Sequence, residues 1–210
     1  MNNNILYSAI SKELDNKSLD IARDYSEIAL DSFLESGIIK ELPLVKSLSS
    51  FYSISNSINE RNKIRNILSF FQQFHSGGID DLKFNQFRHK FTTDQNYHDR
   101  VIETIILLNE RFLHALKSKI LANFLIEHIN QKLNWDELED LSSILDNIHP
   151  KALKCLKDMQ EDKYGRNMGE TINRQSLLIS SGLASTFEDR CIVNGLGRIF
   201  YNFGIKNLEL

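Results

Sequence analysis

Histidine is the residue type in this chain that could most readily do acid–base or metal chemistry near neutral pH, but its spacing matches no known site. The chain has six histidines, which are His75, His89, His98, His114, His128 and His149. No two of them lie four residues apart, and the HExxH motif is absent. Because a lone histidine on a helix usually packs in the core or at its boundary, we predict no metal site.

Nucleophilic chemistry is just as weakly indicated. Lys154 and Lys157 would favour the thiolate of Cys155, but no partner base accompanies it, so we interpret Cys155 as a boundary thiol. Arg111 and His114 are only three residues apart, which does not fit the arginine–histidine spacing of helical ribonucleases. Motifs for phosphate loops, dinucleotide loops and serine-hydrolase turns are also absent. We therefore predict a protein that is not an enzyme, with no catalytic residue, no cofactor and no small-molecule substrate.

The elements that must position these side chains are helices. Only nine Gly and two Pro occur in 210 residues, and apolar residues recur at steps of three and four along most of the chain. The tract from Asp94 to Leu133 is the longest, and we expect it to bend or split near Asn109. Asn134 with Glu137 three residues later predicts a capping box, and Pro150 opens a further helix.

An uncharged stretch interrupts this pattern of charged helices. Thirteen consecutive residues, from Ser47 to Asn59, carry no charge. Gly37 is suited to end the helix before it, and Pro43 suits the first turn of a helix over Leu44 to Ile58. Such a helix could be a central one packed on two sides, a surface for a protein partner or for self-association, or a membrane-active element. The candidate partner-binding residues are Leu44, Leu48, Phe51, Tyr52 and Ile54.

The last forty residues have a different character. "RQSLLISSGLASTFEDRCIVNGLGRIFYNFGI" reads as a helix, a Gly-terminated turn, a short strand and a final helix. This order is similar to the close of many bacterial winged-helix modules, with Val193, Asn194, Leu196, Gly197 and Phe200 in the segment that starts the last helix. Asn194 stands where Thr is usual and serves the same capping role. The fold class is therefore mainly α, a multi-helix array (residues 1–165) with a small winged-helix-like α+β tail (residues 166–210).

A winged-helix tail raises the alternative of a DNA-binding regulator. Its contacts would come from Arg174 and Gln175 on the recognition helix and from Arg190 in the wing. From Pro150 to Leu210 the chain has nine basic and seven acidic residues, and Glu188 and Asp189 would face phosphate in the wing. Since neutralised phosphates supply most of the affinity, we do not expect tight binding of nucleic acid.

Charge and targeting signals predict a cytoplasmic location. The formal net charge is -3, the N-terminus lacks a basic region followed by an apolar one, and no window of about 18 residues is free of charge. The two cysteines, Cys155 and Cys191, have no CxxC spacing, which fits a reducing compartment. Membrane association on activation is an alternative.

The order of several segments resembles an uncharacterised family of bacterial helical proteins. These segments are "ALDSFLESGIIKELPLVKSLSSFYSISNSINERNKIRNILSFF", "LLNERFLHALKSKILANFLIEHIN", "WDELEDLSSIL" and the "GL…LGRIF" close. More distantly, the chain is similar to the Abi-alpha type of phage-defence proteins. In place of glycines common in the relatives, this chain has Ser47, Ser50 and Ser53.

The resemblance implies a helical body with a winged-helix-like tail and a role in phage defence. We expect a non-enzymatic protein-interaction subunit of a bacterial phage-defence or mobile-element system. A membrane-perturbing effector using the segment Gly37–Ile58 and a DNA-binding regulator acting through the C-terminal tail are the alternatives.

Overall fold

The structure, a computed structural model, describes residues 3–16, 43–52, 58–161, 168–188 and 190–209. The chain divides into a first unit, Met1–Lys132, and a second unit, Leu133–Leu210. The fold is mainly helical with a small antiparallel sheet near the C-terminus, which confirms the predicted mainly α class with a small α+β tail. The predicted boundary between residues 165 and 166 falls outside the described residues and stays a prediction.

The described part of the first unit consists of helices. Their bounds are α1 Asn3–Asp15, α2 Pro43–Phe51, α3 Ile58–Ser76, α4 Asp81–Thr93, α5 Gln95–Arg111 and α6 Ala115–Ile129. Helix α3 packs along α6 and against α5, and α1 packs on α2. The side chains of Phe70, Phe71 and Phe74 are fully buried on α3, where every fourth or third residue faces the core. The helix predicted before Gly37 lies outside the described residues.

Helix α5 ends at Arg111 and α6 begins at Ala115, so the long tract splits close to the predicted place. The buried Asn66 of α3 donates through Nδ2 to the carbonyl oxygens of Asn109 (2.9 Å) and Phe112 (2.6 Å). Asn62, one turn earlier, donates to the same Phe112 oxygen at 3.0 Å. The last carbonyls of a helix have no partner within it, and these amides supply one.

The second unit contains α7 Trp135–Asn147, α8 Pro150–Gln160, α9 Met168–Ser180, β1 Ala184–Phe187, β2 Arg190–Val193 and α10 Gly195–Phe200. One π-helical turn, Tyr201–Ile205, follows α10. The predicted capping box of Asn134 and Glu137 is confirmed, and Pro150 lies in the first turn of α8 as expected. Because both signals depend on neighbours within four residues, the sequence alone is sufficient to place these helix starts.

Asn194 joins the hairpin to α10. Its Oδ1 accepts from the backbone N–H of Gly197 at 2.9 Å, which confirms its predicted capping role. Its Nδ2 donates to the carbonyl oxygen of Gly182 at 2.8 Å, at the turn before β1. One side chain thus fixes both ends of the hairpin segment.

Strands β1 and β2 pair antiparallel, with Ala184 opposite Val193 and Phe187 opposite Arg190. Ala184 and Val193 are buried, and Cys191 shares their face because side chains alternate along a strand. Phe187 and Ile192 belong to the opposite face. The hairpin therefore has an inner face toward the core of the second unit and an outer face toward solvent.

The hairpin loop forces Glu188 into the left-handed region, with φ of 47°. An L-residue with a Cβ is strained there and glycine is not. We expect Glu188→Gly to raise the free energy of unfolding by about 1 kcal/mol. Urea unfolding followed by the fluorescence of Trp135, the one tryptophan of the chain, measures this in the second unit. Glu188→Ala is the matched control, and an equal gain from it would contradict the conformational explanation.

Candidate functional site

The residues predicted to bind a partner lie on α2 and just after it, and the structure buries three of them. Leu44, Leu48 and Tyr52 are at most 4% exposed, and Phe51 is half-buried. Ile54 lies outside the described residues. This placement agrees with the buried-helix alternative, so a role for these side chains in binding or in a membrane would require α2 to leave the first unit.

The serines of α2 make hydrogen bonds within the helix itself. The hydroxyl of Ser47 donates to the carbonyl oxygen of Pro43 at 3.0 Å, and the hydroxyls of Ser49 and Ser50 donate in the same way to the carbonyls four residues before them. Serine and threonine in helices often make this local bond. The hydroxyls of Ser47, Ser49 and Ser50 are therefore satisfied within α2 itself and need no partner on another element.

Tyr52, just after α2, links this segment to α5. Its hydroxyl donates to Glu110 Oε1 at 2.5 Å. Lys63 Nζ lies 3.7 Å from Glu110 Oε2 and 5.7 Å from the centre of the Tyr52 ring. Burial, then the hydrogen bond to Glu110 and its charge, raise the pKa of Tyr52 above its usual value. The hydrogen bond between Tyr52 and Glu110 therefore anchors the C-terminal end of α2 to α5.

Because of Tyr52 and Tyr97, we expect the free energy of unfolding of the protein to fall at alkaline pH. Burial and, less strongly, the charge of Asp94 also raise the pKa of Tyr97. Above about pH 10 the unfolded chain loses phenol protons that the folded protein keeps. The stabilisation is therefore complete below that pH and is lost as pH rises, by about 1 kcal/mol per tyrosine and pH unit.

Urea unfolding measured by circular dichroism at about pH 9 and about pH 11 tests this expectation. Tyr52→Phe should flatten the pH dependence, because phenylalanine has no proton to lose. If the variant keeps the full slope of the parent protein, Tyr52 is not its source.

A serine, a histidine and an aspartate are connected by hydrogen bonds between α1 and α5. Ser11 Oγ is 2.9 Å from His98 Nε2, and His98 Nδ1 is 3.0 Å from Asp99 Oδ1. Since a carboxylate only accepts, Nδ1 carries a hydrogen, and Nε2 of the neutral ring accepts from the Ser11 hydroxyl. The order serine, histidine, aspartate is that of the nucleophile, base and orienting group in serine hydrolases.

The surroundings of Ser11 differ from those of a hydrolase nucleophile. Ser11 lies inside α1, where backbone N–H groups are donors in the helical ladder. A tetrahedral intermediate needs donors aimed at its oxyanion, and the backbone next to Ser11 has none to spare. Phe91 covers the imidazole, with ring centres 4.5 Å apart. The arrangement is therefore suited to holding α1 against α5.

Two further contacts hold α1 in the same way. His75 Nε2 donates to Glu13 Oε1 at 3.1 Å, and the His75 side chain is fully buried. Arg88 Nε donates to Asp15 Oδ1 at 2.6 Å near the end of α1. Leu6, Ile10 and Leu14 bury the apolar side of the helix. Sequence reasoning missed these contacts because 62 to 87 residues separate the partners.

The residues predicted for nucleic acid lie in the second unit, on separate elements. Arg174 and Gln175 are half-buried on α9, and Arg190 is exposed at the start of β2. Glu188 is exposed in the loop next to Arg190, and Asp189 lies outside the described residues.

The outer face of the hairpin is the clearest exposed apolar surface of the second unit. Phe187 is 62% exposed and Ile192 is 44% exposed. In this register they are diagonal neighbours on one face, a separation that an aromatic side chain can span. The alternation of side chains along each strand can be read from the sequence and indicates which residues share a face. Only the register between the two strands shows that Phe187 and Ile192 are neighbours. Phe187, Ile192 and Ser185 form the outer face of the hairpin, and Arg190 lies beside them at the loop end.

The described residues hold no group of three or more His, Cys, Asp or Glu side chains that could bind a metal ion. Within the same ranges, no helix is both long and apolar enough to cross a bilayer. Comparison of the chain with protein-family models, with curated proteins and with solved structures found no match. Functional proposals for this chain therefore start from its own contacts and surfaces.

Proposed function

We propose that the chain is a non-enzymatic protein-interaction subunit that associates with a second copy of itself through the outer face of the hairpin. The exposure of Phe187 and Ile192 on one face of two paired strands carries this proposal. Contiguous exposed apolar side chains on a folded protein mark interaction sites more often than chance. The resemblance to phage-defence proteins supports a bacterial defence or mobile-element system as its setting.

The charges beside this face favour a second copy as the occupant. Glu188 and Arg190 are both exposed, one in the loop and one in β2. In a twofold interface each copy presents the same patch, so an acid and a base beside the patch can each meet its opposite on the partner. The apolar pair would then lie at the centre and the charges at the rim, which is the usual layout of an interface.

Light scattering after size exclusion, over a range of concentrations, tests this proposal. We expect a dimer, and we expect Phe187→Ser or Ile192→Ser to weaken it at least tenfold, which corresponds to about 1.4 kcal/mol. Leu113→Ser is the matched control, because Leu113 is 79% exposed but belongs to the first unit. A strictly monomeric parent protein at about 100 μM would refute the proposal, since interfaces of cellular use bind more tightly.

The non-enzymatic part of the proposal has its own test at Ser11. A fluorophosphonate probe labels serines that are activated by a histidine base. We expect no labelling of this protein. Labelling that is lost in both Ser11→Ala and His98→Ala would instead establish a hydrolase site and overturn the proposal.

A DNA-binding regulator is the second candidate function. In its described residues the second unit has three helices, a two-stranded hairpin and a further helix, and this order is compatible with the winged-helix-like tail that the sequence predicts. The apolar outer face and Glu188 count against it, since a phosphate backbone requires a basic surface. A gel shift at moderate salt that shows submicromolar duplex binding, lost in Arg190→Ala, would favour the regulator over the interaction subunit.

Flotation with anionic liposomes tests the membrane-perturbing alternative against the proposed interaction subunit. This alternative requires Leu44, Leu48 and Tyr52, which are buried in the first unit, to leave it and insert into lipid. Flotation that is abolished by Leu48→Asp would support it. We expect the folded chain to stay at the bottom of the gradient.

A further inference from the structure

The two cysteines of the chain lie on elements that pack together in the second unit. Helix α8 contacts strand β2. Cys155 is buried on α8, beside the buried Ala152 and Leu156, and therefore faces the core. Cys191 is half-buried on β2, on the inner face shared with Val193. Cys155 thus belongs to the buried side of α8 and Cys191 to the inner face of the hairpin, and both are thiols.

We propose that Cys155 and Cys191 form a dithiol pair that a small-molecule disulfide oxidises to a bond joining α8 to β2. The pairing is a redox modification site, and it does not depend on the proposed self-association. Electrostatics agree with this geometry. Burial raises the pKa of Cys191, and the charge of the Cys155 thiolate raises it further.

The difference in exposure sets the order of the two steps. The Cys191 thiolate, the more accessible one, attacks one sulfur of the oxidant, forms a mixed disulfide and releases one thiolate. The Cys155 thiolate then attacks the Cys191 sulfur and displaces the second thiolate of the oxidant. The two protein thiols lose two protons and two electrons, and the small disulfide is reduced to two thiols.

The raised pKa of Cys191 makes this reaction slow at neutral pH and strongly dependent on pH. Below that pKa, the thiolate fraction grows about tenfold for each pH unit. The rate of disulfide formation should therefore rise about tenfold from about pH 7 to about pH 8.

The bond would close a loop that contains α9 and β1. A crosslink restricts the unfolded chain more than the folded one, so the oxidised form should be the more stable one. We expect its Tm to exceed that of the reduced form by at least about 5 °C. The outer face of the hairpin lies on the reverse side from Cys191, so it stays available in both forms.

Treatment of the reduced, full-length protein with glutathione disulfide tests the proposal, with intact mass and a non-reducing tryptic map as readouts. We expect the intact mass of the single chain to fall by two hydrogens, and we expect the tryptic map to contain a disulfide-linked pair of peptides that joins Cys155 to Cys191. Cys155→Ser should instead hold glutathione on Cys191, and Cys191→Ser should react little. Wild-type protein that stays reduced, keeps glutathione on Cys191 or forms only intermolecular bonds would overturn the proposal.

Discussion

The substitution Gly197→Ala should lower the free energy of unfolding of the second unit by about 3 kcal/mol. A Cβ at this position would meet the carbonyl oxygen of Leu183, and it would lie 2.7 Å from Val193 Cγ1. A backbone oxygen cannot move aside as a flexible side chain can, so α10 would have to shift away from the base of the hairpin. The same shift would break the cap that Asn194 makes to the backbone of Gly197.

Urea unfolding followed by Trp135 fluorescence measures this loss, because Trp135 belongs to the second unit. Gly195→Ala is the matched control. It lies two residues earlier in α10, and a Cβ there would meet no atom within 4 Å. We expect this control to be neutral or slightly stabilising, since alanine is the better helix former. If both variants unfold at the same urea concentration, close packing at Gly197 is not important for stability.

Asn66→Asp should destabilise the first unit by about 4 kcal/mol. The substitution keeps the shape of the side chain and replaces the donating Nδ2 by an oxygen. Asn66 is fully buried, and that oxygen would face the carbonyls of Asn109 and Phe112. Two hydrogen bonds are lost, and a carboxylate is buried next to two carbonyl oxygens.

Circular dichroism during urea unfolding measures the effect, with Asn62→Asp as the control. Asn62 is only half-buried and makes one bond to Phe112, so we expect a smaller loss. The deficit of Asn66→Asp should shrink as pH falls from about 7 to about 5, because a protonated carboxyl can donate again. A deficit that is equal at both pH values would point to shape and not to hydrogen bonding.

Helix starts could be predicted from the sequence because their signals are local. The capping box at Asn134, the proline at 150 and the cap at Asn194 each depend on groups within three residues. The apolar period along the chain also depends on near neighbours, and it predicts the mainly helical class.

Contacts between distant elements could not be predicted in the same way. The hydroxyl of the buried Tyr52 donates a hydrogen bond to Glu110, which is 58 residues away in the sequence. Ser11 contacts His98, which is 87 residues away. Without those partners, the uncharged stretch at Ser47 is equally consistent with a core helix and with an exposed surface. Cys155 and Cys191 have no shared motif, and only the packing of α8 on β2 brings them together.

The corner between α5 and α6 has a consequence for engineering the protein. Leu113 is 79% exposed at this corner and would be an obvious point for inserting a peptide tag or for opening a circular permutant. The preceding carbonyl, that of Phe112, is held by two asparagines of another helix. Added residues would displace that oxygen from both donors. Tolerance to insertion follows the hydrogen bonding of the backbone and not its exposure, so this corner is a poor grafting site.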